Sequence, residues 1–180
     1  FVNDQWGRGR RLFGTEAVKR ERKKEGRRIA ILGMYTGRSP YPGRRSPRKD
    51  KDRVEREIRK LYFEGMTQDY ELSLKKEGKW PAKDLEDFIQ SKLRTGATDA
   101  ELMTRHEMQE RAPDLLVTNY SMLEYMMLRP LEASIFQQTA EWLASDEKNQ
   151  LTIVLDEAHM YRGSGGAEVA YLLRRLQARL

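Results

Sequence analysis

Three short apolar runs, each bounded by glycine, proline or charge, constrain this 180-residue chain more than any other feature. They are Arg28–Thr36 (RIAILGMYT), Leu115–Tyr120 (LLVTNY) and Leu151–Leu155 (LTIVL). Each is too short for a core helix and apolar at successive positions, the pattern of a strand buried on both faces. Helix-forming stretches separate them. Residues 4–25 read as a helix broken near Gly14, and 53–64 and 82–94 as two more. The Thr98–Glu101 capping box predicts a helix to about Arg111, and the Ser121–Glu124 box one that stops before Pro130. Residues 131–144 form another, with Trp142 and Leu143 on its apolar side. After the Gly163–Gly166 turn, Val169, Leu172, Leu173, Leu176 and Leu180 share one face of a closing helix. Strands alternating with helices predict an α/β fold, a parallel sheet with helices on both faces. The stretch 37–112 is too long for an ordinary crossover and reads as a mainly helical insertion.

Composition narrows the chemistry. The chain has no cysteine, which excludes a disulfide scaffold, thiolate zinc sites and cysteine nucleophiles. Its two histidines, His106 and His159, exclude a His-rich metal centre, and His106-Glu107 fails as a zincin site because Glu110 stands where the second His belongs. No apolar run approaches membrane-spanning length or a signal-peptide core, so a cytoplasmic protein without membrane contact is expected. Charge is uneven: residues 1–60 carry 20 Lys+Arg against 8 Asp+Glu, and the remainder 14 against 20. A basic first third suits a polyanion-binding face or simply solvated helices, and its richness in Arg favours phosphate. Arg44, Arg45, Arg48, Lys49 and Lys51, in a proline-rich loop, read either as a nucleic-acid backbone contact or as a solvated loop. Met122, Met126 and Met127 sit at helical spacing and read as core.

The strongest chemical signal is LTIVLDEAH, residues 151–159. A buried strand there would deliver Asp156 and Glu157 to the carboxyl edge of the sheet, where open α/β folds bind ligands. Adjacent carboxylates in that position suit metal-assisted nucleotide hydrolysis. Asp156-Glu157-Ala158-His159 resembles motif II, the Walker B element, of the DEAD/DEAH-box helicases of superfamily 2. The resemblance implies a RecA-like P-loop NTPase domain that uses ATP and Mg²⁺. Asp156 would hold the Mg²⁺ through water, Glu157 would activate the attacking water, and His159 would couple hydrolysis to the nucleic-acid site. Leu115–Glu124 is similar to the family element in which a strand ends at a Thr that binds a nucleic-acid phosphate, with Thr118 in that place and Asn119 beside it. Tyr35-Thr36-Gly37 resembles the glycine element that approaches the nucleic-acid backbone, so Thr36 and Gly37 join the nucleic-acid-binding set. Val2–Gln5 matches the end of the pattern P-T-N-A-L-x-x-D-Q. Asp156–Gly163 is similar to the D-E-A-H-x-Y-R-G of helicases from DNA-repair and phage-defence systems.

Other family elements have no counterpart. The one Gly-Lys pair, Gly78-Lys79, lacks the G-x-x-x-x-G-K-[ST] context, so the chain has no Walker A. The S-A-T element and second RecA-like domain are absent too. Residues 1–180 are therefore expected to be an incomplete helicase ATP-binding domain, a fragment of a longer polypeptide, with 37–112 an insertion within it. Alone it would not turn ATP over efficiently. Its expected partners are DNA, with RNA possible, and the rest of the same polypeptide, with no sign of a particular oligomer. Two alternatives stand beside this reading: a non-catalytic nucleic-acid-binding module with a degenerate helicase fold, and a metal-dependent nuclease using Asp156, Glu157 and Glu168.

Overall fold

The computed structural model describes residues 2–40 and 49–180, except for the side chains of 2–4 and 49–51. Tyr41, Arg44, Arg45 and Arg48 therefore lie outside the described residues, as do the side chains of Lys49, Lys51 and most of the Val2–Gln5 motif. The protein is α/β, with two compact units, Phe1–Met108 with Pro113–Thr118 and Gln109–Ala112 with Asn119–Leu180. No described helix is long and apolar enough to cross a membrane.

The first unit opens with α1 (Val2–Phe13) and α2 (Glu16–Lys24), separated at Gly14 as expected, with Thr15 capping α2 through its hydroxyl. Strand β1 (Leu32–Tyr35) follows, then α3 (Lys49–Tyr62), α4 (Gln68–Lys76), α5 (Leu85–Gln90), β2 (Glu101–Leu102), α6 (Arg105–Glu110) and β3 (Leu115–Thr118). The three strands form one parallel sheet in the order β2-β1-β3. The central strand β1 is apolar on both faces and largely buried, as its unbroken run requires. Arg28 pairs with Asp114, and Asp114 also accepts the Ile31 N–H, tying together the amino ends of β1 and β3. The 37–112 stretch contributes β2 to this sheet and has a core of its own. Val54 and Ile58 of α3 pack with Leu85, Phe88 and Ile89 of α5, and Tyr62 meets Trp80 edge-on at 5.3 Å.

Two expectations need correction here, and one helix was not foreseen. The Thr98–Glu101 box does not open a helix. The Asp99 carboxylate instead accepts the Asp84 and Gly96 N–H groups, and Glu101 enters β2. The reciprocal box is Thr104 with Glu107, where Glu107 N–H donates to Thr104 Oγ1 and Thr104 N–H to the Glu107 carboxylate. Helix α4 has no buried residue, so it offered no apolar period to read. Finally, Leu151–Leu155 forms no strand, and it is exposed. A strand requires a neighbour to complete its ladder, and among the described residues the unit containing this run has none.

Buried polar contacts fasten α1 within its unit. The Arg10 guanidinium donates to both Glu101 oxygens at 2.6 and 2.8 Å and to the Lys79 carbonyl at 2.8 Å. Gly78 lies in the left-handed region (φ 70), and a Cβ there would overlap the Gly7 carbonyl oxygen of α1. Gly78→Ala is therefore expected to destabilise the protein by about 2 kcal/mol, from backbone strain and overpacking together. Chemical denaturation measures this, and an unchanged midpoint would contradict the close approach.

The second unit contains α7 (Tyr120–Leu128), α8 (Ala133–Ser145) and α9 (Gly163–Arg179), with a 3₁₀ turn at Pro130–Glu132 and another at Ala158–Met160. Asn119, rather than Ser121, caps α7, its Oδ1 accepting the Met122 N–H at 2.8 Å. Ser121 therefore lies within the helix. Met126 and Met127 are buried, as expected, whereas Met122, one turn earlier, is only half-buried. The buried face of α8 carries Ile135 and Phe136, while Trp142 is exposed. Val169, Leu172 and Leu176 form the inward face of α9.

Candidate functional site

Two groups of predicted residues occupy two places, one in each unit. In the first, the sheet order reverses at β1, whose neighbours on either side are both reached by later crossovers. In open α/β sheets the carboxyl ends of strands flanking such a point bound the ligand crevice. Thr36 and Gly37 leave β1 at that edge, and Thr118 ends β3 opposite Tyr35. Thr118 Oγ1 donates to the Tyr35 carbonyl at 2.7 Å, joining the two strand ends. Contact between that hydroxyl and a phosphate oxygen would require the proton to be redirected.

The turn after β1 is tightly built. Thr36 N–H donates to Ser39 Oγ at 2.9 Å, Ser39 Oγ donates to the Met34 carbonyl, and Thr36 Oγ1 accepts the Arg38 N–H at 3.2 Å. Arg105, buried at the start of α6, donates from Nη2 to the Thr36 carbonyl at 2.6 Å. Its own N–H donates to the Pro40 carbonyl at 3.1 Å, and its guanidinium lies 5.1 Å from the Tyr35 ring centroid. Thr36 and Ser39 are buried, whereas Gly37 and Arg38 are exposed. Among the described residues, a Cβ at 37 would meet no atom within 4 Å, and its φ is not left-handed.

In the second unit, Asp156, Glu157 and His159 share one exposed turn. Glu157 has a left-handed backbone (φ 52) and donates its N–H to Asp156 Oδ1 at 3.0 Å. Its carboxylate lies 3.4 Å from His159 Nδ1, and its carbonyl accepts the Met160 N–H at 2.8 Å. The expected delivery of these acids from a buried strand to a sheet edge is not seen, because 151–155 is not a strand. Asn119, expected beside Thr118 as a nucleic-acid contact, has its side-chain oxygen occupied in capping α7. Glu168 lines a groove of about 340 Å³ between α7 and α9 with Tyr120, Glu124 and Arg175. Among the described residues no three His, Asp or Glu side chains gather as a metal site, so Asp156, Glu157 and Glu168 do not form the cluster a nuclease would need.

Sequence reasoning missed Ser39, Arg38 and Arg105. The Thr-Gly-Arg-Ser string after β1 is a usable signal for the first two, because Ser and Thr side chains satisfy turn backbones. Arg105 gave none: a buried arginine on a short polar helix reads as a surface cation.

The chain is similar to Druantia protein DruE of Escherichia coli (strain UMEA 4076-1), with 50% identity over 208 aligned positions. The match takes in the whole of this chain and 11% of that protein, so the chain spans about a tenth of its relative's length. No protein-family model and no solved structure matches the chain.

Proposed function

We propose that this chain is part of a nucleic-acid-dependent ATPase of helicase type, acting in a phage-defence system. Its first unit would be part of a RecA-like sheet, and its Asp-Glu-Ala-His turn would act on the nucleotide. One observation carries the reading. The two segments read from the sequence as nucleic-acid elements, 36–37 and 118, leave adjacent paired strands at the carboxyl edge, linked by the Thr118–Tyr35 hydrogen bond across 83 residues of sequence. The Asp156–Gly163 pattern and the 50% identity to a Druantia protein support the defence setting.

Asp156 and Glu157 are exposed hard-oxygen donors, which suits an ion such as Mg²⁺ that keeps much of its water and takes its other ligands from substrate phosphates. Asp156 would hold that ion through water, and the ion would neutralise phosphate charge. Glu157 would accept a proton from the attacking water, and His159, beside it, would orient its carboxylate. Thr118 and the 36–39 turn would contact the strand backbone rather than its bases, a contact without sequence preference.

The test is ATP hydrolysis by the full-length protein with and without single-stranded DNA or RNA. Hydrolysis should rise on adding nucleic acid, and binding should weaken steeply with salt. Salt-sensitive binding without turnover would establish the non-catalytic module instead. A protein that neither binds nor hydrolyses would end the proposal.

A further inference from the structure

Helix α2 carries more positive charge than its packing uses. Residues 15–28 hold seven Lys and Arg against three Glu, and no residue of α2 is buried. A helix that is polar all round is held by its caps and its own side-chain pairs rather than by a core. Thr15 supplies the cap, and each acid is committed to one cation. Glu16 pairs with Lys19 at 3.0 Å, Glu21 with Lys24 at 3.0 Å and Glu25 with Arg27 at 3.4 Å. Arg20, Arg22 and Lys23 have no carboxylate partner among the described residues. Arg20 and Arg22 donate only to main-chain carbonyls, those of Glu16 at 3.4 Å and Arg28 at 2.9 Å. Positions 20, 23 and 24 are three and four apart, so these cations share one face of the helix, and all three are exposed. The excess charge is thus gathered on a convex, solvent-facing stripe.

We infer that this face of α2 binds the backbone of a nucleic-acid duplex, at a site separate from the carboxyl edge of the sheet. The inference goes beyond the functional reading, since it needs neither ATP nor the segments at 36–37 and 118. Helix α2 leads into β1 at the opposite edge. Its last turn is drawn there by the Arg22 bond to the Arg28 carbonyl, and Arg28 in turn pairs with Asp114 just before β3. Strand β1 alone is about 13 Å long, more than a Debye length at about 0.1 M salt. Charge on α2 therefore acts on a ligand of its own. The chemistry of the face favours a duplex over a single strand. Residues 15–28 contain no aromatic side chain, so they offer no platform on which unpaired bases could stack. They offer charge alone, and a duplex presents the denser line of it, about one phosphate per 1.7 Å of axis.

The experiment uses the full-length protein with two fluorescein-labelled probes, a blunt DNA duplex and a single-stranded oligothymidylate. Anisotropy follows the affinity for each across a salt series. The paired change Arg20→Gln, Lys23→Gln should weaken duplex binding about fiftyfold at about 0.1 M salt. It should also lower the slope of log affinity against log salt by about 1.8, the loss of two duplex phosphate contacts. Affinity for the single strand should not change. Both positions are exposed and glutamine is a good helix former, so the variant should fold as the parent does. Glu21→Gln releases Lys24 from its ion pair and should strengthen duplex binding. If both changes shift the affinity in the same direction, charge is not what the face uses, and the inference falls. Equal losses toward duplex and single strand would overturn the separate site. Unchanged duplex affinity and slope in the paired variant would overturn the inference outright, whether the face is solvated or meets an acidic protein surface, and would leave the functional reading intact. Conversely, a protein that fails to hydrolyse ATP yet loses duplex binding in the paired variant would end that reading and support this one.

Discussion

Glu157→Gln in the full-length protein is expected to lower nucleic-acid-stimulated ATP hydrolysis by about a thousandfold, within the usual contribution of a general base. Nucleic-acid affinity should stay within about twofold of wild type, because Thr36, Gly37 and Thr118 belong to the other unit. The substitution is close to isosteric. The Glu157 backbone bonds, N–H to Asp156 and carbonyl from Met160, involve no carboxylate of its own and should survive. What disappears is the proton acceptor and its contact with His159. Glu157→Gly is the control. Glycine adopts the left-handed backbone without strain, so that variant should fold at least as well and be as inactive. Steady-state ATPase assays decide the matter: more than about a tenth of wild-type turnover in the Gln variant would remove Glu157 from the role of base.

Glu101→Ala should lower unfolding free energy by about 3–5 kcal/mol, the usual loss when one member of a buried ion pair is removed. Glu101 is nearly inaccessible, and it accepts from Arg10 Nε, Arg10 Nη2 and the Ala82 N–H. Burial works against charge on Arg10, yet the Glu101 carboxylate, with a smaller contribution from Tyr62, holds the guanidinium pKa above its ordinary value. Without Glu101 that charge would remain inside with no carboxylate beside it, only neutral partners: the Gly78 and Lys79 carbonyls, the Tyr62 hydroxyl and the Trp6 ring. The paired Arg10→Met, Glu101→Leu variant should recover much of the loss, since it leaves no charge stranded. Trp6, buried with Arg10 5.4 Å from its ring, reports the transition by fluorescence during urea unfolding. A loss under about 1 kcal/mol for Glu101→Ala would mean that water reaches the pair.

How much of this was legible in the sequence depends on whether a residue's partner was local. Strand β1 was readable because burial on both faces leaves an unbroken apolar run; β3 shows the same run and forms where expected, but it is not the buried strand expected, since Leu115 is exposed and the rest half-buried. Strand β2 was not readable, since one of its two residues is a glutamate made tolerable inside by Arg10, 91 positions away. The sequence Thr-x-x-Glu occurs at 98–101 and again at 104–107, and only tertiary contacts to Asp99 and Glu101 determine which one caps a helix. Leu151–Leu155 shows the converse limit: apolar β-formers state a preference for burial, while the ladder must come from a neighbour. At the candidate site, Gly37 and Thr118 were readable as strand-end residues. Of the frame beneath them, Ser39 binds locally and could have been read, while Arg105 depends on a bond spanning 69 residues and left no local trace.

The exposed run that ends at Asp156 also bears on handling. Gln150–Leu155 is an uncharged, proline-free and glycine-free hexapeptide of mostly β-formers, with Ile153 at 47% and Val154 at 83% exposure. Such a window, open to solvent and with its own N–H and C=O groups unladdered, is a template for stacking between identical chains. These 180 residues handled on their own thus present an amyloid-type nucleus directly before their most acidic turn. The negative charge of Asp156 and Glu157 then acts as the gatekeeper that limits aggregation.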